Sequence, residues 1–234
     1  MDIRENYQKI RAEIPSEVRI VVAAKGRTSA EIEEVIEAGA TDIGENYVQE
    51  AEIIIKELDG DLVKRVNWHM IGPLQKNKIN KALIIFDFIQ SVDSLELAKD
   101  IDKRVLKSGK KSIPVLLEIN IGSEESKHGI KPDEHERLEK FMEQLVYDVS
   151  NLAHIRLVGL MTMGAFGANP EQFRQDFRRT KNIFDRLAKL RLEQVDMKYL
   201  SMGMTDSYHI AIEEGANIVR IGTAIFGPRK YCLR

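Results

Sequence analysis

The stretch "RIVVAAKGRTSAEIEEVIEAGA" (residues 19–40) contains the unit from which the fold is built. Its unbroken apolar run, residues 20–24, is typical of a strand that is buried on both faces. A helical pattern follows, with Thr28 and Glu31 spaced as a capping box at its start and Gly39 at its end. The stretch therefore predicts one strand followed by one amphipathic helix.

The same unit recurs along the chain without a linker or a low-complexity tract between copies. Strands are predicted at residues 19–24, 41–46, 66–72, 86–92, 114–121, 156–163, 199–204 and 217–225. The intervening helices are expected to begin near Tyr47, Pro73, Pro132 and Pro170, and a further helix near residues 2–14 precedes the first strand. Alternation of this kind implies parallel strands with right-handed crossovers.

A single α/β domain covering residues 1–234, a (β/α)8 TIM barrel with an additional N-terminal helix, is the predicted fold. A doubly wound open sheet is the competing interpretation, because sequence alone does not show whether a sheet closes. The loop after the first strand, "AAKGRTS", has one glycine where a dinucleotide-binding fingerprint has three. That difference favours the barrel.

Composition limits the partners that the chain is expected to have. Lys plus Arg number 35 against 37 Asp plus Glu, a formal charge of −2, which argues against a nucleic-acid-binding surface. The first residues, "MDIRENYQKI", contain no apolar signal region, and no apolar run approaches the roughly 18 residues of a membrane span. The sole cysteine, Cys232, has no partner for a disulfide within the chain. A cytoplasmic protein is predicted.

Lys25 follows the first strand directly, and two interpretations of it are open. It is either an ordinary surface lysine at a strand end or a nucleophile in a pocket. Active sites of barrels form at the carboxyl ends of the strands, so other polar residues at those ends bear on the choice. These are Glu45 and Asn46 after the second strand, His69 on the third and Asn120 on the fifth.

Two further strand ends have the composition of anion sites. "SMGMTDS" (201–207) follows the seventh strand and contains Ser201, and Asp206 or Ser207 is expected to cap the next helix. "RIGTAIFG" (220–227) on the eighth strand places Gly222 beside the hydroxyl of Thr223. Glycines allow close approach, and backbone amides at loops and helix starts bind phosphate. The two strands are those that commonly hold phosphate in barrels.

An amine nucleophile near a phosphate site predicts a ligand that has both a carbonyl and a phosphate. A lysine among apolar walls and other cations becomes a usable nucleophile for a carbonyl. Pyridoxal 5′-phosphate (PLP) supplies both groups. Its ring nitrogen needs a partner, and Arg220 is the candidate because it shares a face of the eighth strand with Gly222 and is flanked by apolar residues.

The chain resembles the pyridoxal phosphate homeostasis protein family, whose fold is similar to the amino-terminal domain of alanine racemase. The motifs run nearly end to end: "DIGENYVQE", "WHMIGPLQKNK", "SVDS", "LEINIGSEESKHGI", "GLMTMG" and "LSMGMTDSYHIAIEEGANIVRIGTAIFGPR". The resemblance implies that Lys25 forms an aldimine with PLP and that Arg220 contacts the ring nitrogen. It also implies that the cofactor is held by Asn46, Ser201, Gly222 and Thr223.

One departure from the family pattern lies beside Lys25. Relatives often read "SKTKP" there, whereas this chain reads "AKGRT". Gly26 and Arg27 are therefore expected to change the loop next to the lysine.

The resemblance implies a carrier and regulator of PLP, without efficient catalysis, that passes the cofactor to apo PLP-dependent enzymes. A monomer or weak homodimer is expected. The alternative is a PLP-dependent amino-acid racemase of fold type III, or an aldolase, with His69 and Tyr208 as candidate second bases. Against a racemase, the chain ends at Arg234, soon after the eighth strand, without the further β domain of alanine racemase. His69 is more simply a core histidine bonded to backbone.

The remaining charged groups are predicted to be structural. Lys76, Lys78 and Lys81 are interpreted as a solvated basic face, and the "DEHERLEK" segment (133–140) as a solvated helix face without zinc-ligand spacing.

Overall fold

The computed structural model describes residues 2–122, 129–131, 137–164 and 167–228. Eight parallel strands close into a barrel in chain order. They are β1 (Arg19–Ala23), β2 (Asp42–Glu45), β3 (Asn67–Met70), β4 (Phe88–Val92), β5 (Ile113–Ile119), β6 (Ile155–Thr162), β7 (Val195–Ser201) and β8 (Ile218–Ile221). β8 pairs with β1, with Ile20 opposite Val219. The predicted barrel is confirmed, and the open sheet is wrong because both of its edges are paired.

Helices surround the barrel. They are α1 (Ile3–Glu13), α2 (Ser29–Glu37), α3 (Val48–Glu57), α4 (Gly60–Lys64), α5 (Ile79–Ile85), α6 (Leu95–Val105), α7 (Leu138–Ser150), α8 (Pro170–Leu187), α9 (Tyr208–Glu213) and α10 (Thr223–Phe226). Short 3-10 turns lie at Lys76–Lys78, Leu106–Ser108 and Ala188–Leu190. None of the helices in the described part of the chain is long and apolar enough to cross a membrane.

Helix starts follow the sequence signals closely in two of four places. Pro170 is the first residue of α8, and α3 begins directly after Tyr47. The helix expected near Pro73 begins later, because the chain first forms the 3-10 turn at Lys76–Lys78. Pro132 lies outside the described residues.

The start and end of α2 show why the quoted stretch folds as it does. The backbone N–H of Glu31 donates to Thr28 Oγ1 at 3.3 Å, and the N–H of Thr28 donates to Glu31 Oε2 at 2.9 Å. The predicted capping box is confirmed. Gly39 ends the helix at φ +107°, in the left-handed region that favours glycine.

The core has two layers. The outer layer lies between strands and helices, where Ile32, Val35 and Ile36 of α2 are buried beside Ile43 of β2. Each such side chain contributes about 1.5–3 kcal/mol of burial free energy. The inner layer, inside the barrel, has only small apolar clusters, such as that of Phe88, Leu116, Val158 and Met161. The rest of the interior is polar, and it lies directly beneath the mouth.

Candidate functional site

A cavity of about 370 Å³ opens at the carboxyl ends of the strands. Five of the six residues predicted to hold the cofactor line it together: Lys25, Asn46, Arg220, Gly222 and Thr223. Larger clefts of about 580 and 550 Å³ lie on the outside, against α7. They do not contain this set of groups, so the chemistry of the predicted ligand points to the mouth of the barrel.

Lys25 lies two residues beyond the end of β1 and is half-buried. Strand side chains alternate, so Lys25 continues the inward face of Val21 and Ala23. The next peptide is anchored, because the N–H of Gly26 donates to Glu50 Oε2 at 3.0 Å. The interpretation of Lys25 as a pocket residue therefore agrees with its position among the residues that line the cavity.

Arg27 ties this loop to the far end of the chain, a role that the sequence did not reveal. Its guanidinium donates to the carbonyl oxygens of Phe226 at 3.4 Å and Gly227 at 2.5 Å, and lies 5.0 Å from the Phe226 ring centre. The side chain is only 7% exposed and also pairs with Glu31. The departure "AKGRT" thus places an arginine, where the family pattern has a lysine, that joins the β1–α2 loop to the segment after α10.

Asn46 is held by a close approach between two strand ends. A Cβ atom added to Gly72 would lie 2.5 Å from the carbonyl oxygen of Asn46 and 2.7 Å from its Cα, so only glycine fits there. The carbonyl of Gly72 in turn accepts a hydrogen bond from Ser91 Oγ at 2.6 Å. Gly72, two residues after β3, therefore allows the close packing that positions Asn46 at the cavity.

Arg220 reaches the cavity from inside the barrel and is 4% exposed. One terminal nitrogen, NH1, donates to Ser201 Oγ at 2.6 Å, and the other, NH2, donates to the Thr162 carbonyl at 2.8 Å. Burial lowers the pKa of Arg220 to about 10, against the opposing effect of the Glu118 charge. The guanidinium remains a cation at neutral pH, fixed by two acceptors.

Glu118 of β5 is a buried carboxyl whose charge acts on Arg220. Burial raises its pKa to about 7, while the charge of Arg220 lowers it and that of Asp93 raises it. Glu118 therefore titrates near neutral pH and is an incomplete counter-charge for Arg220.

Ser201 does not line the cavity. It is fully buried beneath it, accepts from Arg220 and donates to Gln90 Oε1 at 2.7 Å. Its predicted contact with a phosphate remains a prediction. Thr205, four residues later in the same motif, does line the cavity, and its Oγ1 accepts from the N–H of Ala224 at 3.3 Å. The sequence motif contains both hydroxyls, but only the fold shows that Thr205 lines the cavity and Ser201 does not.

The loops after β7 and β8 meet at Thr205, Gly222 and Thr223. A Cβ atom on Gly222 would lie 3.0 Å from the Ala23 carbonyl oxygen, so glycine lets the end of β8 pack closely against β1. The expectation that Asp206 or Ser207 caps α9 is wrong, because Ser207 occupies the N-cap without a capping bond and instead accepts from the N–H of Met204.

The two candidate second bases lie away from the cavity. His69 is fully buried, and its partners are the side chains of Asp42 and Gln90 at 2.9 Å each, not the backbone that was expected. Tyr208 donates to Glu13 Oε2 at 2.9 Å. Burial and the bond to Glu13 raise the pKa of Tyr208 to about 12. Neither residue is among those lining the cavity.

The basic face behaves as predicted where it is described. Lys76, in the 3-10 turn, pairs with Asp100 at 3.1 Å, and Lys81 of α5 pairs with Glu52 at 2.7 Å, and both lysine side chains are more than half exposed. Residues 133–136 of the "DEHERLEK" segment and Cys232 lie outside the described residues.

The arrangement has three chemical parts in one cavity. Lys25 offers a primary amine, Arg220 a fixed cation with donors, and the Thr205, Gly222 and Thr223 loops offer hydroxyl and amide donors. Such a cavity suits a small ring that carries an aldehyde and an anionic group.

Comparison with known proteins agrees with this description. Residues 1–230 match the family model of the alanine racemase N-terminal domain. The pyridoxal phosphate homeostasis protein of Haemophilus influenzae is 38% identical over 215 residues, 92% of this chain and 86% of that protein. The protein of the same name from Escherichia coli K12 is 34% identical over 98% of both chains.

Solved structures show the same likeness. PipY of Synechococcus elongatus has a TM-score of 0.87 at 31% identity, covering 96% of this chain and all of that one. Its structure with PLP bound has a TM-score of 0.85 at 30% identity, with the same coverage. Alanine racemase of Clostridium difficile has a TM-score of 0.74 at 18% identity, and this chain covers 58% of it. The last likeness shows the fold alone.

Proposed function

Because the chain belongs to the pyridoxal phosphate homeostasis protein family, we propose that it binds PLP at the mouth of the barrel and takes part in intracellular vitamin B6 homeostasis. The observation that carries the proposal is the convergence of Lys25, Arg220 and Thr223 on one cavity of about 370 Å³. A protein of at least 30% identity and the same fold, PipY, is described with PLP bound.

Lys25 is the residue proposed to hold the cofactor covalently. When bound, PLP supplies an aldehyde conjugated to an electron-withdrawing ring. The Lys25 amine comes from the inward face of the barrel, and Gly26 fixes its loop through Glu50. Lys25 lines the same cavity as Arg220, so its amine is placed to meet the aldehyde of a ligand held there.

Arg220 is proposed to face the ring nitrogen. Its guanidinium has five N–H donors, and the bonds to Ser201 and Thr162 leave others for a ligand in the cavity. Because Arg220 keeps its protons at neutral pH, it donates a hydrogen bond without transferring a proton. The ring nitrogen then stays uncharged, which is poor support for carbanion chemistry and favours holding the cofactor over turnover.

The phosphate is proposed to lie against the loops after β7 and β8. Thr205 and Thr223 supply hydroxyl groups, and the glycine at 222 allows the backbone to approach. Asn46 stands on the adjoining side of the cavity, beside Lys25. Ser201 would contribute from below, through Arg220.

A racemase is the competing function. It needs an acid or base on each side of the substrate carbon. Of the described residues that line the cavity, the titratable ones are Lys25, Arg27, Asp206 and Arg220. Asp206, an exposed carboxyl at the cavity edge, is the residue that leaves a racemase as a candidate function. The two arginines are poor proton acceptors, and we therefore propose a carrier that releases PLP to apo-enzymes, as a monomer or weak homodimer.

Equilibrium dialysis against PLP tests the binding site. We expect one PLP per chain for the wild type. Lys25→Ala should weaken binding by at least about tenfold, or about 1.4 kcal/mol. The control Lys107→Ala, at an exposed lysine of a 3-10 turn, should bind normally. Equal binding by Lys25→Ala and Lys107→Ala would overturn the proposed site.

Proton exchange separates the carrier from the racemase. The PLP-loaded protein is incubated with common amino acids in deuterated water, and deuterium at the α-carbon is followed by NMR. A carrier gives almost no exchange, and Asp206→Asn leaves that result unchanged. Exchange at enzymatic rates that Asp206→Asn abolishes would establish the racemase instead.

A further inference from the structure

A chain of hydrogen bonds crosses the barrel interior beneath the cavity. Arg220 NH1 lies 2.6 Å from Ser201 Oγ, and Ser201 Oγ lies 2.7 Å from Gln90 Oε1. Gln90 Nε2 lies 2.9 Å from His69 Nδ1, and His69 Nε2 lies 2.9 Å from Asp42 Oδ1. We call these five residues the interior chain. Because β4 and β7 are not neighbours in the sheet, the Gln90–Ser201 bond spans the lumen.

All four bonds of the interior chain point the same way. Arg220 is a donor only, so Ser201 Oγ accepts from it and gives its own proton to Gln90 Oε1. The Gln90 amide then donates to His69 Nδ1, which makes the histidine an Nε2–H tautomer that donates to Asp42. The bonds run from a cation to an anion, and each reinforces the next.

Burying the charged and polar groups of the interior chain costs desolvation free energy. All five residues are at most 4% exposed, and the lumen around them contains apolar clusters such as Val21, Ile71 and Ile218. An apolar layer of the same volume would often be as stable or more stable than buried charges. Stability alone is therefore a weak reason for its presence, and its end at the cavity suggests a functional one.

The far end of the interior chain is a fixed carboxylate. Burial alone would raise the pKa of Asp42, but hydrogen bonds from His69 and Thr41 and the charge of Arg19 lower it. Thr41 Oγ1 and Asn67 Nδ2 donate to it at 2.7 and 3.1 Å. Asp42 therefore stays ionised and holds the tautomer of His69.

We propose that Gln90 and His69 are positioning residues for the cofactor ring, acting through Ser201 on the guanidinium of Arg220. The inference rests on the proposed PLP site. Neither residue touches the cavity, so sequence position alone does not suggest this role. Their effect is to fix which N–H of Arg220 is free to face the ring and at what angle.

The orientation of the Gln90 amide is the critical element. If the amide were reversed, its NH2 group would face Ser201 Oγ and its oxygen would face His69 Nδ1. The Ser201 O–H would then lose Gln90 as its acceptor, and the lone pair of His69 Nδ1 would face the lone pairs of the amide oxygen. The arrangement in the structure avoids both conflicts, so the orientation in which Ser201 accepts from Arg220 depends on Gln90 and on His69.

The test uses PLP labelled with ¹⁵N in the ring and the full-length protein. The variant Gln90→Met keeps the length and volume of the side chain but removes its hydrogen bonds. We expect the ¹⁵N resonance of bound PLP to move and the dissociation constant to rise about tenfold. Gln90→Glu, which keeps an acceptor for Ser201, should partly restore both the wild-type ¹⁵N resonance and the wild-type dissociation constant.

A matched control separates positioning from stability. Thr180→Val removes a buried hydroxyl that donates to the Asp176 carbonyl at 2.8 Å within α8, away from the cavity. It should lower the melting temperature and leave the ¹⁵N resonance and PLP affinity unchanged. If Gln90→Met does not fold, Asp42→Asn decides, because it removes the charge at the far end and should move the resonance in the same direction.

The outcomes are distinct. If the wild type binds PLP, and Gln90→Met or Asp42→Asn binds it with an unmoved ¹⁵N resonance and an unchanged dissociation constant, this inference is overturned while the proposed function stands. If the wild type does not bind PLP, the proposed function and this inference fall together.

Discussion

The strand β2 has a carboxyl at each end, and the two behave in opposite ways. Asp42 and Glu45 are both buried, at 3% and 0% exposure, and are three residues apart in the sequence "DIGE". Side chains alternate along a strand, so Asp42 faces the barrel lumen and Glu45, like Ile43, faces the helix layer. The two carboxyls of this one strand therefore lie in different parts of the interior, Asp42 in the barrel lumen and Glu45 between the strands and the helices.

Donors make the difference between them. Asp42 accepts from His69, Thr41 and Asn67, and its pKa lies below the ordinary value. Neither oxygen of Glu45 has a hydrogen-bond partner among the described residues. Burial, followed by the charge of Glu50, raises the pKa of Glu45 to about 8, and the nearby N–H of Asn46 offsets only part of this. Burial alone favours the neutral acid, and an arranged set of donors reverses that preference.

The largest effect is expected from removing the lumen carboxyl. Asp42→Ala leaves the buried His69 and the exposed Thr41 and Asn67 without this acceptor. We expect the free energy of unfolding to fall by about 3–5 kcal/mol, because three hydrogen bonds to a charged acceptor are lost and the buried His69 N–H is left unpaired. Urea unfolding at neutral pH measures it. Asp42→Asn keeps an acceptor oxygen and should lose clearly less, and equal losses for the two variants would refute the role given to the acceptor.

A smaller effect of opposite sign is expected at Glu45, and it depends on pH. Below its ordinary pKa of 4.5 the carboxyl is protonated in both states. Between 4.5 and about 8 the unfolded chain is ionised while the folded chain stays protonated, so this group lowers stability as pH rises. One pKa unit corresponds to about 1.4 kcal/mol, and we expect Glu45→Gln to stabilise the fold by about 2–4 kcal/mol at pH 8.

Melting curves of wild type and Glu45→Gln between pH 4.5 and 8 measure this difference. The two curves should coincide at the acidic end and separate as pH rises. A Glu45→Gln variant that is less stable than wild type at pH 8 would mean that Glu45 has a partner when charged. The claimed difference between Glu45 and Asp42 would then be wrong.

The smallest effect is expected where a carboxyl has both a partner and water. Glu37 of α2 pairs with Arg4 of α1 at 3.3 Å, and both side chains are about half exposed. Arg4→Ala should change the free energy of unfolding by less than about 0.5 kcal/mol, because exposed ion pairs contribute little. A loss comparable to that of Asp42→Ala would show that burial is not what separates these carboxyls.

Much of the fold could be predicted from local signals. Each predicted strand overlaps an observed one, and the capping box of α2 and Pro170 at the start of α8 are local chemistry. The 3-10 turn after β3 was missed because Pro73 is only a weak start signal. The first four residues of β7, from Val195, were also missed, since they alternate with exposed residues and have no apolar run.

The site could be predicted only as far as strand ends reveal it. Lys25, Asn46 and Gly222 follow strands, and parallel strands bring their carboxyl ends to one edge. The interior chain could not be predicted, because the contact between Gln90 and Ser201 exists only once the barrel closes. Arg27 was recognised as a departure, but its partners lie about 200 residues away in the chain.

Borohydride trapping of PLP on the folded protein tests the central claim most directly. The wild type is mixed with one equivalent of PLP, reduced, digested and mapped by mass spectrometry. Lys25, half-buried at the cavity with Arg220 and Thr223, should carry the cofactor, and the exposed lysines such as Lys76 and Lys81 should remain unmodified. Labelling that is spread over surface lysines, or that persists at full yield in Lys25→Ala, would contradict the account.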